Sequence, residues 1–341
     1  MRVAMYYSNS DVRLEEMPKP KIGPGELLMR VMASGICGSD VLEWYRIKKA
    51  PRVLGHEATG EIVEVGKGVK KYKVGSRVFV SHHVPCGKCH YCERGHETAC
   101  ETLHTTNYYP GGFAEYVRVP KLNVNLGVYP LPKSMSFEEG TFIEPVACVM
   151  RAQRIMDVGQ GDTVLVLGSG LSGLLHIQLA RLRGAEKIVA TDVNPYRMKA
   201  AKKFGADRVI NAKEDLPKKL RQLNDNRLAD KVIVCTGAPS ASRQALQCAD
   251  RGGSMLFFAV PEPGVEIPIP FVEFWRDEVR MMTSYGAAPK DLEASMKLLT
   301  RKKLNVKDMI THRLSLTEAG LGFKLVAEAK DSLKVIIEPQ R

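Results

Sequence analysis

Residues 163–192 read TVLVLGSGLSGLLHIQLARLRGAEKIVATD, and this stretch decides the fold. Thr163 to Leu167 is a short apolar run, the pattern of a strand buried on both faces. A glycine-rich turn follows, Gly168-Ser169-Gly170-Leu171-Ser172-Gly173, and Leu171 to Arg183 continues as a helix. Lys187 to Thr191 is a second strand, closed by Asp192. A lone GxGxxG says little. Between a buried strand and a helix, with an acid nineteen positions after Gly173, it has the context of a dinucleotide-binding turn. Gly168 permits the tight turn, Gly170 lets the backbone approach a pyrophosphate, and Gly173 lets the helix pack on the sheet. The free N–H groups at Leu171, Ser172 and Gly173 would meet the phosphates.

The same texture extends outward. Arg197 to Phe204 is a helix, and Lys231 to Cys235 and Ser254 to Ala259 are strands. Strands alternating with helices predict a parallel, doubly wound α/β sheet. Before residue 150 the chain is β-rich: Glu26 to Ala33, Gly60 to Gly66 and Arg77 to Ser81 are strand-like and bounded by turns. After Gly286, Leu292 to Leu299 and Leu316 to Lys330 read as helices and Leu333 to Ile337 as a last strand. The expected division is 1–150, 151–286 and 287–341.

Composition narrows the class. Apolar residues make up 44% and charged residues 26% of 341, ordinary for a globular protein. No apolar leader precedes the charged residues Asp11 to Glu16, and the most apolar stretch, Thr163 to Ala180, is interrupted by His176 and Gln178. The chain is therefore expected in the cytoplasm, without membrane contact. The net charge of +12 is spread over pairs such as Lys48-Lys49, Lys70-Lys71 and Lys202-Lys203, without interleaved aromatics. That reads as solvated surface and not as a nucleic-acid stripe.

Cys86, Cys89, Cys92 and Cys100 fall within one short polar loop. In a chain without a secretory leader this spacing points to metal more than to disulfides, and four thiolates suit a closed, structural zinc. An iron–sulfur cluster or disulfides are the alternatives. His90 and His96 in the loop read as exposed, and Cys148, Cys235 and Cys248 as small buried apolar residues. Three further pieces suggest a second, open metal site: Cys37 with Ser39 and Asp40, His56 with Glu57, and Glu144 before Pro145. An open zinc polarises an alcohol oxygen, a nearby hydroxyl such as Ser39 can pass its proton onward, and Asp40 can hold a metal-bound histidine. Spacing alone does not join these pieces.

The ordered set Gly35-Ile36-Cys37-Gly38-Ser39-Asp40, Gly55-His56-Glu57-Ala58, the four-cysteine loop, Gly112-Phe113-Ala114-Glu115-Tyr116, Glu144-Pro145 and the glycine turn resembles the zinc-containing medium-chain dehydrogenases, in the sorbitol and threonine dehydrogenase branch. The resemblance spans nearly the whole chain. It implies a GroES-like catalytic domain, a Rossmann domain, and a C-terminal segment returning to the catalytic domain. It implies a catalytic zinc among Cys37, His56 and Glu57 or Glu144, with the two glutamates unranked, and thus two zinc ions per chain. It also implies oxidation of a small-molecule alcohol or polyol, with threonine or another amino alcohol as the alternative substrate, and a homotetramer. Asp192 favours NAD, since a carboxylate accepts the ribose hydroxyls and repels a 2′-phosphate; Arg197 is the group that would favour NADP instead. The chain departs from the branch at Leu42, where relatives carry histidine, and at Glu43, where sorbitol enzymes often carry tyrosine. Glu43 is read as an alternative proton acceptor or substrate contact, or else as an exposed loop carboxylate.

Overall fold

The computed structural model describes residues 1–341, which form two compact units, Met1–Ala147 with Ala287–Arg341, and Cys148–Gly286. The second unit is built on a six-stranded parallel sheet. Its spatial order is Arg208–Asn211, Lys187–Asp192, Thr163–Leu167, Ala229–Val234, Ala249–Phe257, Arg280–Thr283. Counted along the chain this is 3-2-1-4-5-6, the Rossmann arrangement. The order reverses between Thr163–Leu167 and Ala229–Val234, so a crevice for ligand opens beyond the carboxyl ends of these two strands. Val164 to Leu167 and Val232 to Val234 are fully buried, which explains their unbroken apolar sequence. The helix after the glycine turn runs Leu171–Leu182, one residue short of the expected end. That between Pro195 and Lys203 begins with Asn194, whose side chain accepts from the Tyr196 N–H at 2.8 Å, and with Pro195 in the first turn.

The first unit is mainly antiparallel. Strands Ile310–Leu314, Lys334–Ile337, Leu27–Gly35, Glu57–Val65, Arg77–Ser81 and Val128–Pro130 lie in that order, with Tyr116–Val119 also pairing Leu27–Gly35. A smaller sheet joins Asp11–Glu16, Arg2–Ser8 and Arg52–Val53. The chain end enters the large sheet directly: Ile336 pairs Gly35 and Ile337 pairs Ser34. The expected helix over Leu316 to Lys330 is broken into a 3₁₀ turn, Leu316–Glu318, and a helix, Ala319–Glu328. The helix stops because Ala329 takes a left-handed conformation, φ +54°.

The register of the large sheet sets up the site. Gly35 lies opposite Glu57, and Glu57 opposite Ser81. Cys37 follows two residues after Gly35, His56 immediately precedes Glu57, and His82 follows Ser81. Three distant stretches are therefore brought side by side by backbone pairing alone.

Candidate active site

The ligand atoms of Cys37, His56 and Glu57 all lie within 4.8 Å of one another. Cys37 caps the 3₁₀ turn Gly38–Val41, its sulfur accepting from the Ser39 N–H at 3.4 Å. Asp40 is fully buried beneath it. Its Oδ2 accepts from the Cys37 N–H at 3.1 Å, and its Oδ1 lies 3.3 Å from His56 Nδ1 and 3.4 Å from Arg46 Nη2. Burial pushes the Asp40 carboxyl up, but His56, Arg46 and the Cys37 N–H together outweigh it and hold the group below its ordinary value. Burial pulls His56 down, and Asp40 with Cys37 more than reverses this, so the metal-free ring sits well above its usual range. Because Asp40 engages Nδ1, Nε2 is the nitrogen left for a metal.

Glu57 is fully buried and is held by Lys334, itself fully buried, whose Nζ donates to Glu57 Oε2. The ammonium also lies 5.5 Å from the centre of the Phe142 ring. Gly35 is obligatory here, because a Cβ would run into both the Glu57 carboxylate and the Lys334 side chain. The second oxygen, Oε1, is buried without any hydrogen-bond partner. A buried carboxylate oxygen left bare next to a thiol and an imidazole fits a cation, and N, S and O donors together suit zinc. Glu144 stands outside this cluster, partly buried in the first turn of the helix Ile143–Ile155, and its charge is felt by Tyr108.

Ser39 lies beside the cluster, partly buried. Its hydroxyl oxygen accepts from Arg46 Nη2 at 3.1 Å, and its carbonyl from Arg46 Nε at 2.9 Å. On the other side His82 stacks against His56 at 4.9 Å between ring centres, and His83 against His82 at 3.8 Å. Burial first, then the neighbouring His56 ring and Arg46, pushes both rings down, His83 to about 3. Arg46, His82, His83 and Lys334 were not singled out from sequence. Glu43 is not at this hydroxyl: it is exposed, and its Oε1 accepts from the Asn9 N–H at 2.9 Å.

The four sulfurs of Cys86, Cys89, Cys92 and Cys100 also lie within 4.8 Å of one another, and none is in a disulfide. Cys89–Cys92 and Cys86–Cys92 sulfur distances are 3.5 and 4.0 Å. A tetrahedron with zinc–sulfur bonds of about 2.3 Å has edges of about 3.8 Å, so the set fits zinc closely. Without metal, burial and neighbouring thiols push Cys92 up to about 12, while N–H donation from Cys86 and Leu103 overcomes burial at Cys100 and holds it at about 6. His90 and His96 are exposed. Of the remaining thiols Cys248 is buried, whereas Cys148 and Cys235 are only partly so.

In the second unit Gly168 has φ +92°, and a Cβ on Gly173 would strike the Gly168 carbonyl oxygen. Gly170 begins the helix without any side-chain cap, so the amides of Leu171, Ser172 and Gly173 are unclaimed by a capping side chain. Asp192 closes the neighbouring strand; its Oδ2 accepts from the Ser169 N–H at 2.8 Å and its Oδ1 from the Asn194 N–H at 2.9 Å. The Arg197 guanidinium lies against Gly170, with Nη1 3.6 Å from where a Cβ would stand.

A GroES-like unit with an N, S, O metal cluster, together with a Rossmann unit, defines a zinc-dependent, nicotinamide-linked alcohol dehydrogenase. Two family profiles match, "Alcohol dehydrogenase GroES-like domain" over residues 23–133 and "Zinc-binding dehydrogenase" over 173–301. The chain is 32% identical to sorbitol dehydrogenase of Bacillus subtilis, covering 100% of this chain and 98% of that one. It is 32% identical to L-threonine 3-dehydrogenase of Rhizobium etli, covering 99% of each. A zinc-binding dehydrogenase of Sinorhizobium meliloti, solved bound to NADP, superposes with a TM-score of 0.88 at 27% identity over 99% of both chains. The chain belongs to the zinc-containing medium-chain dehydrogenase family, in its sorbitol and threonine dehydrogenase branch.

Proposed function

We propose that this enzyme oxidises a secondary alcohol on a polyol, sugar or related small molecule, with NAD as acceptor. The observation that carries this reading is the Cys37, His56 and Glu57 cluster with its bare Glu57 Oε1 and the Ser39 hydroxyl alongside. When bound, zinc supplies Lewis-acid polarisation of the alcohol oxygen, and the nicotinamide accepts the hydride. Cys37, His56 and Glu57 hold the metal, and Glu57 is favoured over Glu144 because only Glu57 joins the cluster. Asp40 fixes the His56 ring. Ser39 binds the substrate hydroxyl and takes up its proton at Oγ. Arg46 orients Ser39 by donating to that oxygen, which leaves the serine hydrogen free to turn. It is not itself the next acceptor, since a guanidinium keeps its protons; solvent is. Cys86, Cys89, Cys92 and Cys100 hold the second zinc and brace their loop.

The turn at Gly168, Gly170 and Gly173, with the amides of Leu171 and Ser172, binds the pyrophosphate. Asp192 supports NAD: each oxygen accepts one backbone N–H and keeps a lone pair for a ribose hydroxyl. Arg197 is read as a neighbour of the adenosine. Four uncrosslinked thiols at metal spacing support a reducing, cytoplasmic location, and no helix is long and apolar enough to cross a membrane. Phe271 and Trp275, 74% and 81% exposed, lie on the helix Phe271–Arg276, just before Arg280–Thr283, the edge strand of its sheet, and support a homo-oligomer. The test is a panel of polyols, amino alcohols and simple secondary alcohols with NAD and NADP, followed by absorbance of the reduced cofactor. Polyols with NAD are expected to give the highest kcat/KM. Absence of turnover with every alcohol in the panel by the zinc-loaded enzyme contradicts the reading.

A further inference from the structure

In the first unit three segments meet around a small surface cavity of about 160 Å³: the turn at Gly25, the loop 66–73 and the helix Lys121–Leu126. Backbone bonds tie the first two together. The Gly25 N–H donates to the Lys67 carbonyl and the Gly66 N–H to the Glu26 carbonyl, both at 2.9 Å. Tyr72 anchors the loop: it is buried, and its hydroxyl donates to the Val128 carbonyl at 2.9 Å. Lys70, Lys71 and Lys121 line the cavity, and no acidic side chain does. Gly25 has φ +81°, and the Lys121 stem lies across it, Cγ and Cδ both 2.9 Å from where a Cβ would stand. The Lys71 ammonium is 5.3 Å from the centre of the Tyr72 ring. Lys67 and Lys73 add charge to the same loop, which reads KGVKKYK over 67–73. None of these lysines is in an ion pair. Glu26, the carboxylate next to Gly25, is taken by the Gly23 N–H at 2.8 Å. The Lys70 and Lys71 N–H groups donate to no backbone carbonyl. A concavity lined by one sign of charge over apolar walls, here Val69, Val124 and Tyr72, concentrates its field.

We propose that this cavity binds a phosphate group, free or carried by a small monoester, at a site apart from the reaction centre. It shares no residue with the metal cluster, the four-cysteine loop or the glycine turn. Its volume is that of about five waters at roughly 30 Å³ each, which suits a phosphorus and its oxygens. Ammonium groups bind phosphate as point charges, each with several N–H donors to give. A dianion balances the three lysines better than a carboxylate does. The Lys121 stem is already packed on Gly25, so little of its freedom is lost on binding. Such a site is independent of which alcohol is oxidised.

The experiment uses the zinc-loaded, full-length enzyme saturated with NADH, in chloride buffer of constant ionic strength. Inorganic phosphate and, separately, methyl phosphate are titrated by calorimetry. Saturable binding of a single phosphate per chain is expected, weakening as salt is raised. The tighter of the two ligands tells whether the natural one is the free ion or an ester. Lys70→Gln combined with Lys121→Gln should lower the affinity about tenfold or more, since each exposed ion pair contributes up to about fivefold. Lys303→Gln combined with Lys307→Gln makes the same charge change at exposed lysines elsewhere in the unit, and should alter the affinity by less than about twofold. In the wild-type protein, bound phosphate should also slow acetylation of Lys70, Lys71 and Lys121 but not of Lys303, as read by mass spectrometry. Absence of saturable binding, an equal loss in the two double variants, or no protection of the three lysines overturns the proposal. Phosphate held by the zinc instead would keep its affinity in the Lys70 and Lys121 variant, which overturns it as well. So does binding of heparin without binding of phosphate, which would make the lysines a polyanion surface.

Discussion

Replacing Lys334 with methionine is the most informative single perturbation of the metal cluster. Lys334 and Glu57 are both fully buried, and the lysine is the only hydrogen-bond donor to the carboxylate. Methionine preserves most of the volume and removes the charge. An unpaired buried carboxylate costs about 3–5 kcal/mol when its partner is removed. In a unit of this size each kcal/mol lowers the melting temperature by about 2–4 °C, so metal-free Lys334→Met should melt about 6–20 °C below metal-free wild type. Zinc changes the outcome. If Glu57 Oε1 faces the metal, zinc supplies the positive charge that lysine no longer does, and the deficit should shrink by more than half in zinc-loaded protein. The lobe metal is absent from both proteins in one comparison and present in both in the other, so its contribution cancels. Scanning calorimetry with and without zinc reads both differences. Pairing Lys334→Met with Glu57→Gln should recover much of the lost stability, because the buried charge is gone. The reasoning is refuted if the variant loses the same stability with and without zinc, which would make the pair structural and detach Glu57 from the metal.

Other consequences can be checked separately. His176 is fully buried against Phe258 and lies 3.2 Å from Gln153 Nε2, and burial holds its pKa at about 3. The unfolded chain, near 6.5, therefore binds the proton first, and folding stability falls as pH drops from about 6.5 toward 3, by up to about 1.4 kcal/mol per pH unit. Between pH 7 and 5 the loss from this one group is about 2 kcal/mol; denaturant titrations of His176→Gln should show a correspondingly shallower pH slope, and an identical slope would disprove the assignment. Cys86→Ser should remove one zinc per chain and lower the melting temperature while folded molecules keep their turnover, because binding at a closed site is largely folding energy; lost activity at an unchanged melting temperature would make the lobe catalytic. Asp192→Ser should narrow the preference for NAD over NADP in kcat/KM, and an unchanged ratio would show that another group selects the cofactor.

The parts of the fold that were legible in the sequence are those specified locally. The strand Thr163–Leu167 is buried on both faces and so is continuously apolar, and its turn needs glycine at positions fixed by backbone contact. The four-cysteine loop is legible for the same reason, since all its ligands sit on one short segment. Cys37 and His56 were joined only through family resemblance, because what unites them is the register of Gly35 opposite Glu57, which no local pattern encodes. Lys334 is 277 residues from its partner and looks like an ordinary charge in a terminal strand. Its one signal is a lysine directly before Val335, Ile336 and Ile337, all buried. Arg46 was not singled out, since no local pattern shows that its fork folds back seven residues onto Ser39 and reaches Asp40.

The central claim is that Cys37, His56 and Glu57 hold a zinc needed for oxidising the alcohol, separately from cofactor binding. Its most direct test is Cys37→Ser, with zinc counted by elemental analysis, NADH binding measured by fluorescence, and alcohol oxidation assayed on one preparation. The account predicts about two zinc ions in wild type and about one in the variant, unchanged NADH binding and no measurable turnover. A variant that has lost one zinc and still oxidises alcohol at near the wild-type rate would contradict it.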